Sequence, residues 1–279
     1  MVSQRLIILS LLGLVSFIMI YRPQPQEIKV NVAVLPQCPL APPHTSLPVL
    51  PPTFAAKMQT LRPIILAAAK RHNKPSFSGL SDSEFAEIIA LLLYNEHVGW
   101  LEDDLPFLQL LRPFYEKAQV LVNQSELGSN FSVWPANLRP SVALEIIQQR
   151  IPLPKSTAFF TVPISLAGSQ LKAQNFSSQK ALFAAITTEI RQEDLAIEYL
   201  AANIERGVYR AKVENVPISW QTLAAWHNQG VVEPEAMCAN GKIRDYLYRT
   251  ATFRPAAQRL IAEEKKAQFG PQTSLLASP

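Results

Sequence analysis

The feature that most constrains the fold of this sequence is the helical spacing of its apolar residues from Thr53 onward. The clearest segment begins with Ser-Asp-Ser-Glu at 81–84, a capping box in which Ser81 caps the first turn and Glu84 bonds back to the amide of Ser81. The next apolar residues recur at i, i+3, i+4 and i+7, the spacing of one helix face: Phe85, Ile88, Ile89 and Leu92. We therefore expect a helix from Ser81 whose apolar face packs into a core.

Similar spacing predicts helices along most of the remaining chain. The expected helices are 53–72 with a kink or interruption at Pro63, one or two within 104–126 around Pro113, 140–149, 178–208 with a break near 193–194, 217–228 capped by Ser219, 233–248 and 254–267. Residues 155–165 fit a short strand or an extended loop. With nine glycines in 279 residues and no glycine-rich phosphate loop, the sequence argues against a barrel or a dinucleotide-binding sheet. The predicted fold class is all-α, or mainly α.

Ahead of the helical region the chain has two segments of different composition. Residues 6–21 form a run of 16 uncharged residues after Arg5, and no small-x-small cleavage triplet follows it. This pattern favours an uncleaved transmembrane anchor over the alternative, a removed signal peptide. Residues 22–52 hold nine of the 23 prolines and therefore predict an extended linker.

These segments define the expected organisation of the chain. It comprises a short cytoplasmic tail 1–5, a transmembrane anchor 6–21, a Pro-rich linker 22–52, a helical domain 53–267 and a flexible tail 268–279. An N-terminal anchor on a globular body usually places that body outside the cytoplasm. In that compartment Cys38 and Cys238 could form a disulfide, and the alternative is two unpaired thiols.

Composition excludes several classes of function. The net charge is +4 and no dense block of Lys and Arg occurs, so nucleic acid is not an expected partner. The two cysteines lie 200 residues apart, and the four histidines have no metal-ligand spacing. The sequence therefore implies neither a metal nor an organic cofactor.

Glu96 is the sharpest candidate for chemistry. It follows Leu92 by four residues and so extends the apolar helical stripe. Burial disfavours a charged carboxylate and raises its pKa, which suits a general acid. The alternative is a glutamate at a helix end that points to water. Aromatic faces suit sugar rings, so Tyr94, Tyr199 and Trp226 are candidates for lining a sugar groove, with core packing as the alternative.

Three segments carry recognisable motifs. They read Ala-Leu-Leu-Leu-Tyr-Asn-Glu-His at 90–97, Phe-Ser-Val-Trp-Pro-Ala-Asn-Leu-Arg-Pro at 131–140 and Leu-Ala-Ala-Trp-His-Asn-Gln-Gly at 223–230. In order and spacing, over residues 80–232, they resemble the three motifs of the lysozyme-like superfamily in its soluble lytic transglycosylase branch. Residues 195–207 resemble the long helix that precedes the third motif.

The resemblance implies a lysozyme-like domain that cleaves the β-1,4 bond between N-acetylmuramic acid and N-acetylglucosamine in peptidoglycan. Glu96 stands at the position of the family's catalytic acid/base. The expected partners are peptidoglycan glycan strands and, through residues 6–21, the membrane. The residues expected to contact the sugar are Ser132, Trp134, Asn137, Tyr199 and Asn228.

A second carboxylate would separate hydrolysis from transglycosylation. Asp103 and Asp104 follow Glu96 by seven and eight residues and are candidates for that role. The alternative is that they supply favourable negative charge at a helix N-terminus.

The motifs also depart from the family pattern. Trp134 stands where the family has Gly, Asn137 where it has Gln, and His97 where it has Ser, while His227 precedes Asn228. These changes leave open a non-catalytic relative that serves as a binding or scaffold protein of the cell envelope. A third alternative is an unrelated helical protein, in which Glu96 and Asn228 would lie far apart.

Overall fold

Helices carry almost all of the regular structure in this computed structural model, which describes residues 50–98, 112–125, 129–153, 158–230 and 239–268. The helices of eight residues or more are α1 (Pro52–His72), α3 (Asp82–Val98), α4 (Arg112–Gln124), α5 (Pro140–Ile147), α6 (Gln179–Ile190), α7 (Glu193–Val213), α8 (Trp220–Gln229) and α9 (Gly241–Gln268). A single turn, α2 (Pro75–Ser78), and a short 3₁₀ helix (Ala173–Asn175) complete the helical set of the described residues. The mainly helical class is as predicted.

Helix α3 lies at the centre of the core. Every residue from Phe85 to Glu96 is buried except Glu87, which is half-buried. A helix that is apolar on nearly all sides must be covered on all sides, and α3 packs against α9, α1 and α7. Its start is the predicted capping box: the Ser81 amide donates to Glu84 Oε2 over 2.7 Å, and the Glu84 amide donates to Ser81 Oγ over 3.2 Å.

The remaining elements surround this centre. Helix α7 packs against α1 and α8, and α8 also packs against α9. Helices α4 and α5 both pack against α6. Two short strands, β1 (Arg150–Pro152) and β2 (Phe159–Thr161), pair antiparallel with Ile151 opposite Phe160. The sequence predicted the second strand as one of two options but not its partner.

Two prolines do not break the helices that contain them. Helix α1 continues through Pro63, and α9 continues through Pro255, where the sequence predicted two separate helices. Both prolines are exposed. A proline on the solvent side of a helix needs no space in the core, and water can reach the backbone carbonyl that loses its helical donor.

Several predicted features lie outside the described residues. These are the anchor 6–21, all but the last residues of the linker 22–52, nearly all of the tail 268–279, the cysteines Cys38 and Cys238, and the carboxylates Asp103 and Asp104. In the described part of the chain, no helix combines the length and the hydropathy needed to span a membrane.

Gly207 lets helix α8 approach α7 closely. A Cβ atom at this position would lie 2.7 Å from Leu223 Cδ2, which is inside van der Waals contact. We expect Gly207→Ala to lower the free energy of unfolding by about 1–3 kcal/mol, because overpacking outweighs the gain in helix propensity. Urea denaturation of the purified chain measures the change.

Gly241→Ala is the matched control for this substitution. It makes the same change near the start of α9, where the nearest atom to the added Cβ is Arg244 Nη2 at 3.9 Å. This variant should be as stable as the wild type or slightly more stable. Equal losses in both variants would contradict the close-approach explanation.

Candidate active site around Glu96

Glu96 lies in the last turn of α3 and is only 6% exposed. Its position follows from the apolar stripe identified in the sequence, because the residue four places after Leu92 faces the same core. A buried carboxylate is costly unless hydrogen-bond donors surround it. Three donors from distant parts of the chain lie close to its two oxygens.

Asn137 is the first donor, and a tight loop presents it. The Val133 amide donates to the Leu138 carbonyl over 2.8 Å, so the loop closes on itself between these residues. Asn137 has φ 52°, a left-handed conformation that asparagine tolerates better than most residues. In this position its Nδ2 donates to Glu96 Oε2 over 2.6 Å.

Tyr246 and His227 contact the other carboxylate oxygen, Glu96 Oε1. The hydroxyl of Tyr246, on α9, donates to Glu96 Oε1 over 2.6 Å. The imidazole Nε2 of His227, near the end of α8, lies 3.5 Å from the same oxygen. The Tyr246 residue is 2% exposed and the His227 side chain is also 2% exposed, so both contacts are shielded from water.

These donors reverse the expected direction of the pKa shift at Glu96. Burial alone would raise the pKa of this carboxyl group, as the sequence predicted. Hydrogen bonds from His227, Tyr246 and Asn137 outweigh burial and hold the pKa below the ordinary 4.5. Burial and the Glu96 charge raise the pKa of Tyr246 well above 10, so its hydroxyl keeps its proton. Glu96 is therefore a carboxylate at neutral pH in this state.

The other predicted sugar-contacting residues are less closely associated with Glu96. Trp134 is half-buried, with its ring centroid 6.0 Å from that of His97, and Ser132 is also half-buried. Asn228 is exposed and its side-chain oxygen accepts from Gln229, so the third motif reaches Glu96 through His227 instead.

Tyr199 does not fit its predicted role as a sugar contact. It is 0% exposed, and its hydroxyl donates to Glu189 Oε2 over 2.8 Å. Burial, followed by the Glu189 charge, raises the pKa of Tyr199. A side chain without accessible surface cannot stack on a ligand, so the periodicity of α7 explains this residue as core.

Tyr94 and Trp226 are also core residues. Tyr94 is 4% exposed and contacts the Phe54 ring edge-on at a centroid distance of 5.8 Å. Trp226 is 6% exposed, and the Arg210 guanidinium lies over its ring at 4.2 Å. Core packing, the alternative that the sequence left open, holds for both.

Sequence reasoning missed two of the three donors to Glu96. His227 was noted only as a departure from the family motif, yet it follows buried Leu223 and Ala224 by four and three residues and so shares their helix face. Tyr246 likewise follows buried Ile243 by three residues. This spacing could have indicated that both side chains face the core, but not which carboxylate they meet.

A second ionisable cluster joins α1 to α7. The His72 Nδ1 atom lies 2.9 Å from Glu205 Oε2, and its Nε2 lies 3.0 Å from Glu198 Oε1. Arg71 donates to Glu198 Oε2 over 2.5 Å, and Lys74 donates to Glu205 Oε1 over 2.6 Å. The cluster borders a cleft of about 310 Å³ that no residue of the Glu96 site lines.

The opposite charges in this cluster determine the protonation states of its members. Burial would lower the pKa of His72, but hydrogen bonds and charges from Glu198 and Glu205 raise it above 6.5. Burial would raise the pKa of Glu198, but His72, Arg71 and the Ala167 amide hold it at about 2. His72 is thus an imidazolium between two carboxylates, an arrangement that ties the end of α1 to α7.

Within the described residues, no group of three His, Cys, Asp or Glu side chains could hold a metal ion. No protein-family model matches the chain, and neither a curated protein nor a solved structure is detectably similar to it.

Proposed function

We propose that this protein is a lysozyme-like enzyme that cleaves the β-1,4 bond between N-acetylmuramic acid and N-acetylglucosamine in peptidoglycan, with Glu96 as its acid/base. The observation that carries the proposal is the meeting of three sequence motifs at one buried carboxylate. Glu96 ends the first motif, Asn137 of the second donates to it, and His227 of the third lies 3.5 Å away. Chance matches 41 and 131 residues from Glu96 would have no reason to converge there.

The chemistry requires Glu96 in two protonation states. Protonated Glu96 gives its proton to the glycosidic oxygen as the bond from that oxygen to C1 of the muramic acid breaks. The resulting carboxylate takes the proton of an attacking hydroxyl, whose oxygen bonds to C1. If that hydroxyl is the sugar's own C6 hydroxyl, the product is a 1,6-anhydro sugar, and if it is water, the product has a reducing end. The three donors hold the carboxylate in place for the second step.

The pH dependence of cleavage follows from the lowered pKa of Glu96. Only the protonated form can act as the acid, so kcat/KM should rise about tenfold for each pH unit below neutrality until the pH reaches the Glu96 pKa, below 4.5. Tyr246→Phe removes one donor to the carboxylate and raises the Glu96 pKa. The rising limb of the profile, in which kcat/KM increases as the pH falls, should therefore move to higher pH. Initial rates of muropeptide release across a pH series measure both profiles.

Tyr248→Phe is the control for the shifted profile, because it makes the same change two residues along α9. Its pH profile should match the wild type. A Tyr246→Phe profile that falls in rate at every pH without moving along the pH axis would contradict this assignment of the limb to Glu96.

Product analysis tests the proposed activity itself. The full chain, purified in a mild detergent, is incubated with peptidoglycan sacculi, and the released muropeptides are identified by mass. Anhydro-ended products would support transglycosylation. Reducing-ended products would support hydrolysis and make Asp103 and Asp104 the next candidates for substitution.

A non-catalytic scaffold of the cell envelope is the second candidate function. It is favoured by one observation: Glu96 is 6% exposed and both of its oxygens accept hydrogen bonds in this state. The presence of Trp134 in place of the family's glycine points the same way. Binding of the folded chain to sacculi without release of any muropeptide would support the scaffold function and contradict the proposed enzymatic activity.

We also propose that residues 6–21 anchor the protein in the membrane with the helical domain on the cell-wall side. The support is the uncharged run after Arg5 and the absence of a cleavage triplet in the sequence. Protease added outside intact spheroplasts should digest the domain, and protection of the domain until lysis would contradict the proposal.

A further inference from the structure

A line of side chains leads from the surface of α5 to the imidazole of His227. Glu145 Oε2 accepts from Arg206 Nη2 over 2.5 Å, and Arg206 Nη1 donates to Asn203 Oδ1 over 3.2 Å. The Asn203 amide nitrogen then lies 3.4 Å from His227 Nδ1. Arg206 is 6% exposed, so this line runs through the interior between α5, α7 and α8.

Arginine determines which way the Asn203 amide points. A guanidinium has donors only, so the group of Asn203 that faces Arg206 must be its oxygen. The NH₂ group of Asn203 consequently faces His227 Nδ1. Two donors cannot face each other at hydrogen-bond distance, so Nδ1 must be the ring nitrogen without a proton, and the proton of a neutral imidazole must sit on Nε2.

We propose that Asn203, itself oriented by Arg206, fixes His227 as the neutral imidazole with its proton on Nε2, which makes His227 a standing hydrogen-bond donor to Glu96. His227 is then a positioning residue for the acid/base and not a second acid or base. The catalytic meaning of this role rests on the proposed function, whereas the tautomer itself does not. The charged and titratable groups near the ring include Glu96 from α3, Tyr246 from α9 and Arg206 from α7.

The tautomer can be observed directly. The full chain is labelled with histidine carrying ¹⁵N in the ring, and His227 is assigned by the loss of its signals in His227→Gln. At neutral pH we expect the Nδ1 shift of an unprotonated ring nitrogen and the Nε2 shift of a protonated one. A protonated Nδ1 in the wild type would overturn the proposal, whether or not the protein has any activity.

Asn203→Asp and Asn203→Leu test the cause. An aspartate accepts from Nδ1 and should convert His227 to a form with a proton on Nδ1. The leucine variant removes the constraint, so both tautomers should be populated. An unchanged Nε2–H tautomer in Asn203→Asp would show that Asn203 does not set it.

Kinetics separate positioning from simple structural support. In Asn203→Asp, an imidazolium beside Glu96 lowers the Glu96 pKa further, so the rising limb of kcat/KM should move to lower pH while KM stays within about twofold of the wild type. His227→Gln keeps an N–H donor and should retain more activity than His227→Leu. Correct NMR tautomers with no muropeptide release would leave this inference standing and remove the proposed function instead.

Discussion

Glu96→Gln is expected to reduce the release of muropeptides from sacculi by about 100-fold to 10,000-fold, the range that a positioned general acid/base contributes. Glutamine fills the same volume but can neither donate an acidic proton nor accept one from the attacking hydroxyl. The fold should survive, because the Asn137 amide can turn its oxygen toward the new NH₂ group. Mass analysis of released products and a thermal melt of the same preparation measure the two effects together.

Glu87→Gln is the matched control for the loss of activity. It makes the same substitution on the same helix, at a half-buried position two and a half turns earlier. Its rate should equal that of the wild type within experimental error. A folded Glu96→Gln variant with wild-type activity would contradict the assignment of Glu96 as the acid/base.

Glu198→Ala is expected to cost about 3–5 kcal/mol of unfolding free energy, the usual loss when one partner of a buried ion pair is removed. The substitution leaves the buried His72 imidazolium with one carboxylate, and it removes the acceptor of Arg71 and of the Ala167 amide. Chemical denaturation at constant pH measures the loss. The expected destabilisation is large because the His72 imidazole remains buried after one of its two carboxylate partners has gone.

Glu193→Ala, on the same helix, is the control for charge removal alone. Glu193 pairs with Lys57, and both side chains are about one-third exposed, so its loss should cost less than about 1 kcal/mol. Similar losses in Glu198→Ala and Glu193→Ala would contradict the importance assigned to burial.

The contribution of the His72, Glu198 and Glu205 cluster to the free energy of unfolding should also depend on pH. His72 has a raised folded pKa, so its stabilisation is complete below 6.5 and is lost as the pH rises through the folded value. Glu198 has a lowered folded pKa, so its stabilisation is complete above 4.5 and is lost as the pH falls through about 2. The difference in unfolding free energy between the wild type and Glu198→Ala should therefore be largest between pH 4.5 and pH 6.5. It should decrease in alkaline buffer.

Local sequence patterns predicted the helices well where the determining interactions are themselves local. Ser81 and Glu84 lie three residues apart, and Ser219 caps α8 by accepting from the Thr222 amide, as expected. Apolar spacing also predicted that Glu96 faces the core. It could not predict that α9 continues through Pro255, because that depends on which side of the helix faces solvent.

Interactions between distant residues could not be read from the sequence. The pKa of Glu96 is lowered by side chains 41, 131 and 150 residues away, and burial alone predicted the opposite sign. The His72 cluster was missed for the same reason, since its carboxylates lie 126 and 133 residues further along the chain. Glu198 and Glu205 lie seven residues apart and so share one helix face, but this spacing alone does not identify the buried cation between them.

The sequence separation between Glu96 and Tyr246 has a consequence for the order of synthesis and folding. A ribosome produces α3 long before α9, so the carboxylate emerges 150 residues ahead of one of its donors. A nascent or still-unfolded chain carries Glu96 without the site that holds it. Any cleavage activity therefore begins only after the last described helix has been made and has docked, and a chain shortened before Tyr246 should lack it.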